Sequence, residues 1–326
     1  MTHEFHWGVL IVNYLFLAGI SAGSFATSGL ANYVGGKKYE PIARLGAYIA
    51  PFPVMIGTLL LLFDLGRPLN FWRLFVTVQW TSPMSIGTWL LTFFIAISLA
   101  YFVLWLPVSL RNFIRIPHRL KDLLRLSRWT RLTEEEVRRG KLVLGGLGFP
   151  FSIGVGIYTG ILLGAVPARP FWNTPMVAQL FLFSAMSTGV GTILLIRSLF
   201  FRREVSHQEK MLLNSVDAAL ILFEIFLIIP FILHQRLSTW SHAEAIKIIM
   251  GGSLTFYFWI GVILLGILVP LSLEIYELWQ IVVKKHLTGH RLNLGLISGA
   301  LVIIGGFTLR YVFVYAGQIS HFLPVR

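Results

Sequence analysis

LLNSVDAALILFEIFLIIPFIL, residues 212–233, is 22 residues long and carries only two charges, Asp217 and Glu224. About 20 apolar residues in an α-helix cross the hydrocarbon core of a bilayer. A run of this length with so little charge reads as a membrane span. The same test applied outward along the sequence finds seven more, giving spans near 8–31, 43–63, 85–106, 142–165, 176–199, 212–233, 251–273 and 293–317. The fold class expected is an all-α polytopic membrane protein with eight transmembrane helices. The composition agrees: of 326 residues, 56% are hydrophobic and only 13% charged, about half the charge of a soluble domain. The first span lacks a cleavage pattern and is expected to stay as a helix.

Several functions are excluded. With no cysteine, the protein holds neither a thiolate-bound iron–sulfur cluster nor a covalent haem c, and it has no Cys nucleophile. All nine histidines (His3, His6, His118, His207, His234, His242, His286, His290 and His321) fall at span ends or in loops. A haem b pair needs imidazoles facing one another inside a bundle, so no haem is expected. The net charge of +13 is not a nucleic-acid footprint, because no segment forms a soluble basic face.

That charge reports orientation instead. Most of the 27 Lys and Arg residues lie in the first, third, fifth and seventh connections. The positive-inside rule puts those connections in the cytoplasm and both termini outside. In the 107–141 connection, Arg111, Arg115, Arg119, Lys121, Arg125 and Arg128 alternate with Leu120, Leu123, Leu124 and Trp129. This pattern suits either an amphipathic helix on an anionic leaflet or a solvated linker that fixes topology. Thr133 and Glu136 read as a capping box leading into the fourth span. On the opposite side, residues 64–84, with Phe71, Trp72, Phe75 and Trp80, are expected to form a surface helix on which a peripheral subunit could dock.

The two halves resemble one another. LFLAGISAG (15–23) matches LFLFSAMSTG (180–189), Ile86-Gly87 matches Ile260-Gly261, and Tyr158 with Gly160 matches Tyr315 with Gly317. Four helices return the backbone to its starting side, so such repeats would be parallel. Two four-helix bundles are expected, 1–165 and 166–326. Glycines four apart, Gly19 with Gly23 and Gly156 with Gly160 and Gly164, suit close helix packing or a flat ring lying against a helix.

Polar groups inside spans mark function by default. Helix direction places Asn13, Tyr14, Asp64, Arg67, Tyr158 and Arg310 at one level near the outer face, where Ser85 could join them. Asp217 and Glu224 lie on one stripe of the sixth span with Asn214, rising from the cytoplasmic end. Two readings stand for that stripe: Glu224 as a counter-ion for a neighbouring helix, or Asp217 and Glu224 as a proton path.

YLFLAGISAG (14–23), DLGRPLNFWRL (64–74), TSPMSIG (81–87), YTGILL (158–163), PFWNTP (170–175), FEIFLI (223–228) and LRYVFVYAGQ (309–318) together resemble the NrfD/PsrC family of integral membrane subunits. Its members serve polysulfide, tetrathionate and related reductases and the periplasmic nitrite reductase system, and the nitrite-reductase branch is expected to be the nearer. The resemblance implies two four-helix bundles in the bacterial inner membrane and a site for a quinol, menaquinone or ubiquinone, near the outer face. Electrons would pass to an extracytoplasmic, ferredoxin-like iron–sulfur subunit and on to a catalytic subunit, a molybdopterin enzyme or a multihaem cytochrome c. Tyr158 matches the family tyrosine at the quinone headgroup, and Tyr14 stands where the polysulfide-reductase type has a His. Asp64 is then the expected proton acceptor, with Arg67 or Arg310 holding its charge. The rivals are a secondary transporter or proton-translocating subunit using Asp217 and Glu224, and a purely structural anchor.

Overall fold

The computed structural model describes residues 7–64, 68–79, 81–108, 134–201, 205–284 and 294–321. Among them every regular element is a helix, and eight are long and apolar enough to cross a membrane. These are α1 (Val9–Val34), α2 (Glu40–Asp64), α3 (Pro83–Trp105), α4 (Glu134–Gly164), α5 (Met176–Phe200), α6 (His207–Leu237), α7 (Tyr257–Val283) and α8 (Leu294–Ile319). The protein is a multi-pass integral membrane protein. Arg67, Trp80, Thr133 and the basic stretch from Arg111 to Trp129 lie outside the described residues.

The helix interiors explain where the backbone bends. In α2, Ala50 separates two helical stretches because Pro51 and Pro53 bring no backbone N–H. The Ser21 hydroxyl of α1 donates to the Ala50 carbonyl at this break. In α7, Tyr257–Leu268 winds as a π-helix before Val269–Trp279 resumes α-geometry, an uncommon winding that recurs at functional sites. Helix α6 starts on a side-chain cap, with Ser206 Oγ accepting from the Glu209 N–H at 3.2 Å.

Two expectations need correction. The 64–84 surface helix is reduced to single turns at Pro68–Asn70 and Arg73–Val76. The seventh span begins and ends later than 251–273, so that Glu274 and Glu277 fall inside the helix. A short helix, Trp240–Met250, also occupies part of the sixth connection.

Packing centres on α1, which touches α2, α4, α5 and α8. Within each half the first helix packs on the second and fourth, and the third packs on the fourth. The halves meet chiefly where α1 crosses α5. There a Cβ on Gly189 would stand 2.2 Å from the Gly23 carbonyl carbon, so both positions must be glycine for the backbones to touch. These glycines end the two matching motifs, LFLAGISAG and LFLFSAMSTG. Gly266 of α7 and Gly305 of α8 form a second such crossing, where a Cβ on Gly305 would lie 2.2 Å from the Gly266 Cα.

Candidate functional site

Four helices of the first half converge on two tyrosines. Tyr14 of α1 is fully buried and its hydroxyl has no hydrogen-bond partner. Its ring lies against Gly57 of α2, where a Cβ would come 3.3 Å from Cδ2. Tyr158 of α4 is also buried, close enough to Tyr14 for the two hydroxyls to interact electrostatically. Its ring end fills the hollow left by Gly87 of α3, where a Cβ would stand 1.9 Å from Cζ and 2.0 Å from the hydroxyl oxygen. No hydrogen bond to the Tyr158 hydroxyl is made among the described residues. A buried phenol without an acceptor costs about 1–3 kcal/mol, and the Tyr14 hydroxyl is such a donor.

The other residues expected at this level separate by depth. Asp64 ends α2 seven residues beyond Gly57, about 10 Å nearer the end of the bundle, and is partly exposed. Asn13 donates from Nδ2 to the Val9 carbonyl one turn back at 3.0 Å. Ser85 is buried and accepts from the Gln79 N–H at 3.1 Å, so it secures the α2–α3 connection. Arg310 lies deeper. It is fully buried, and a Cβ on Gly19, five residues further along α1 than Tyr14, would be 3.0 Å from its Nη2. Its Nη1 donates to Ser184 Oγ at 2.7 Å and to the Gly306 carbonyl at 2.8 Å. Its charge faces Glu224. Arg310 therefore belongs with the acidic stripe of α6, not with the tyrosines.

That stripe is longer than the sequence indicates. Near the basic connections, Lys210 Nζ lies 3.7 Å from Glu277 Oε1, and Asn214 Nδ2 donates to Glu277 Oε2 at 2.7 Å. Glu274 accepts from Ser298 Oγ at 2.7 Å, and Asp217 accepts from Ser187 Oγ at 2.6 Å. The Asp217 and Glu274 carboxyls also lie beside one another, and Asp217 Oδ2 and Glu274 Oε2 accept no hydrogen bond among the described residues. Beyond Asp217, the Glu224 carboxyl faces Ser184 and Arg310. Ser184, Ser187 and Glu224 line a small cavity of about 10 Å³, roughly the size that holds one water. Glu274 is missed by sequence reasoning because its charge looks like the end of the seventh span. Its spacing of three from Glu277, on one helix face, is the available signal.

The α4–α5 connection closes the bundle above the tyrosines. Trp172 Nε1 donates to the Phe313 carbonyl at 2.7 Å, and its ring stacks on Trp7 with centroids 4.9 Å apart. Arg169 Nη1 donates to the Gln318 carbonyl at 2.7 Å. The motif PFWNTP thus ties α8 to the segment entering α5. Among the described residues, no group of three His, Asp or Glu is placed to hold a metal ion.

Residues 1–321 match the family described as Polysulphide reductase, NrfD. The C polypeptide of the polysulfide reductase of Wolinella succinogenes is 33% identical over 97% of this protein and 95% of its own length. Protein NrfD of Escherichia coli is 30% identical over 98% of each sequence, so the nitrite-reductase branch is not the nearer of these two. The C component of the selenate reductase of Mesobacillus selenatarsenatis is 28% identical over 99% of this protein and 76% of its own length. A protein of this architecture, matched end to end, is a membrane subunit of respiratory oxidoreductases: it belongs to the NrfD polysulphide reductase family.

Proposed function

We propose that this protein binds and oxidises a quinol, menaquinol or ubiquinol, at the paired tyrosines. It would pass the electrons to an extracytoplasmic iron–sulfur subunit serving a molybdopterin or multihaem catalytic subunit. The observation that carries this reading is the buried, unpartnered Tyr14 hydroxyl beside Tyr158. A quinone headgroup presents two oxygen acceptors on a flat ring, matching two phenolic donors, and Gly87 makes the room in which the Tyr158 ring end is seated. When bound, the quinol supplies two electrons and two protons. Tyr158 donates to one headgroup oxygen and fixes its distance from the bundle end, and Tyr14 holds the ring from α1. Asp64, at the water-exposed rim, takes up a released proton, and Arg67 beyond it in sequence favours the ionised carboxylate. Arg310 contributes indirectly by holding α5 and α8 together through Ser184.

The alternating basic connections support termini on the outside of a bacterial inner membrane, which puts the tyrosines near the outer face. The repeated packing pattern of the halves and the Gly23–Gly189 contact support a duplicated pair of four-helix units, 1–165 and 166–326. Tyr158→Phe tests the quinol reading. Quinol-dependent reduction by membranes holding the intact complex should fall about tenfold, the factor for one lost hydrogen bond of roughly 1.4 kcal/mol, with assembly unchanged. Unaltered turnover would remove the tyrosine from the reaction.

A second reading, that protons move through the acidic stripe, is favoured by the continuity from Glu277 through Glu274 and Asp217 to Glu224. In sealed vesicles, Asp217→Asn or Glu224→Gln would then lower the number of protons moved per electron while quinol oxidation persists.

A further inference from the structure

At the end of the bundle marked by the basic connections, opposite the tyrosines, α2 and α5 enclose a pocket of about 400 Å³. It lies where α2 meets α5, at the opposite end from the phenols, and its Arg197 pairs with Glu209 beside the base of the acidic stripe. Its polar lining is Arg44, Arg197, Glu40 and Tyr48, and its apolar wall is Pro41, Leu45 and Phe201. Arg197 is buried and its Nη2 pairs with Glu209 at 2.6 Å, but its Nε–H has no acceptor. The guanidinium stands 5.3 Å from the Phe201 ring centroid. Arg44 pairs with Glu40 at 2.7 Å while its side chain remains half exposed, leaving other donors of its fork free. Tyr48 is already committed, donating to the Trp105 carbonyl at 2.9 Å.

We propose that this pocket binds the phosphate headgroup of an anionic phospholipid. Two guanidiniums converge on it, and a buried N–H without an acceptor asks for an anionic oxygen. Basic pockets between membrane helices are suited to such headgroups. The surroundings favour a lipid over a free anion. Leu199, Phe200 and Phe201 at the end of α5 are exposed and need acyl chains beside them, while Pro41 and Leu45 continue the apolar wall. A lipid seated here touches α2 of one half and α5 of the other, adding a contact across the seam that Gly23 and Gly189 form deeper in the bundle.

The full-length protein, purified in detergent, would be titrated with phosphatidylglycerol or phosphatidylcholine and the bound lipid counted by native mass spectrometry. Phosphatidylglycerol should be retained preferentially. Arg44→Gln should weaken its binding about fivefold, the factor for one basic residue at an anionic surface. Glu40→Gln, which frees Arg44, should tighten it. Arg139→Gln is the control, because Arg139 is exposed at the same end and pairs one turn away with Glu135 at 2.6 Å. Equal losses for the Arg44 and Arg139 variants would overturn the site in favour of a diffuse basic surface. Displacement of the lipid by millimolar inorganic phosphate would overturn the lipid assignment in favour of a free anion. These readouts need no quinol turnover.

Discussion

Gly87→Ala adds one methyl group at the position that shapes the tyrosine site. Its Cβ would meet Tyr158 at 1.9 Å from Cζ and 2.0 Å from the hydroxyl oxygen. Ordinary carbon contacts begin near 3.5 Å, so the ring end must retreat by about 1.5 Å or α3 must move away from α4. Overpacking of this kind costs about 1–3 kcal/mol, which a large bundle tolerates, so the variant should insert and assemble. A displacement near 1 Å at a reacting site lowers rates about 100-fold, and quinol oxidation should fall by that order. The assay compares quinol-dependent reduction with the amount of assembled complex in the same membranes. Adding Tyr158→Leu to Gly87→Ala relieves the clash and should restore thermal stability without restoring turnover. That split distinguishes loss of a positioned phenol from loss of fold. Wild-type turnover in the Gly87→Ala protein would refute the placement of the headgroup at the phenol that this hollow seats.

Tyr14→Phe removes a buried hydroxyl that lacks a partner. It should leave stability unchanged or raise it by about 1 kcal/mol, read as the thermal midpoint in detergent, while quinol oxidation slows. Arg310→Met removes a buried guanidinium that donates to Ser184 Oγ and the Gly306 carbonyl and whose charge faces Glu224, and should lower stability, seen as reduced yield of folded protein. Pairing it with Glu224→Gln should recover a large part of that loss. Gly189→Ala puts a methyl group against backbone, 2.2 Å from the Gly23 carbonyl carbon, where no side chain is present to yield. It should separate α1 from α5 and abolish accumulation in the membrane, whereas Gly251→Ala, with open space around its Cα, should be silent.

The spans are legible because hydropathy over about 20 residues is a property of the sequence alone. Depth is less so. Ordering residues by distance from helix ends puts Arg310 beside Tyr158, yet its long side chain turns toward Gly19, Ser184 and Glu224. Counting along one helix says nothing about which neighbour supplies the counter-charge. The end of the seventh span is obscured for a related reason: a carboxylate reads as a boundary unless its partners are known. Glu274 accepts from Ser298 of α8 and lies beside Asp217 of α6. The hollow that seats Tyr158 is hidden altogether, since a glycine such as Gly87 declares only that something approaches, not what.

The kinds of buried polar group also bear on how α1–α4 and α5–α8 would divide the proposed work. Among α1 to α4 the Tyr14 hydroxyl is buried without a partner, while among α5 to α8 serines bond Asp217, Glu274 and Arg310 but leave Asp217 Oδ2, Glu274 Oε2 and Arg310 Nε and Nη2 without one. An unpartnered buried donor is stabilised when a ligand or water completes it, whereas a partly satisfied network of acids is completed by water or by protons moving along it. On the proposed function, similar motifs and similar packing would serve unlike chemistry: ligand capture between α1 and α4, and charge retention among α5 to α8. Arg310 connects them, because its guanidinium donates to Ser184 of α5 and reaches α1 at Gly19. A change in charge at Glu224 would be felt through that guanidinium on α1, about one and a half turns below Tyr14. If the halves are coupled in this way, Glu224→Gln should alter the affinity for quinol as well as proton movement. A quinol affinity unchanged in that variant would mean that the halves act separately.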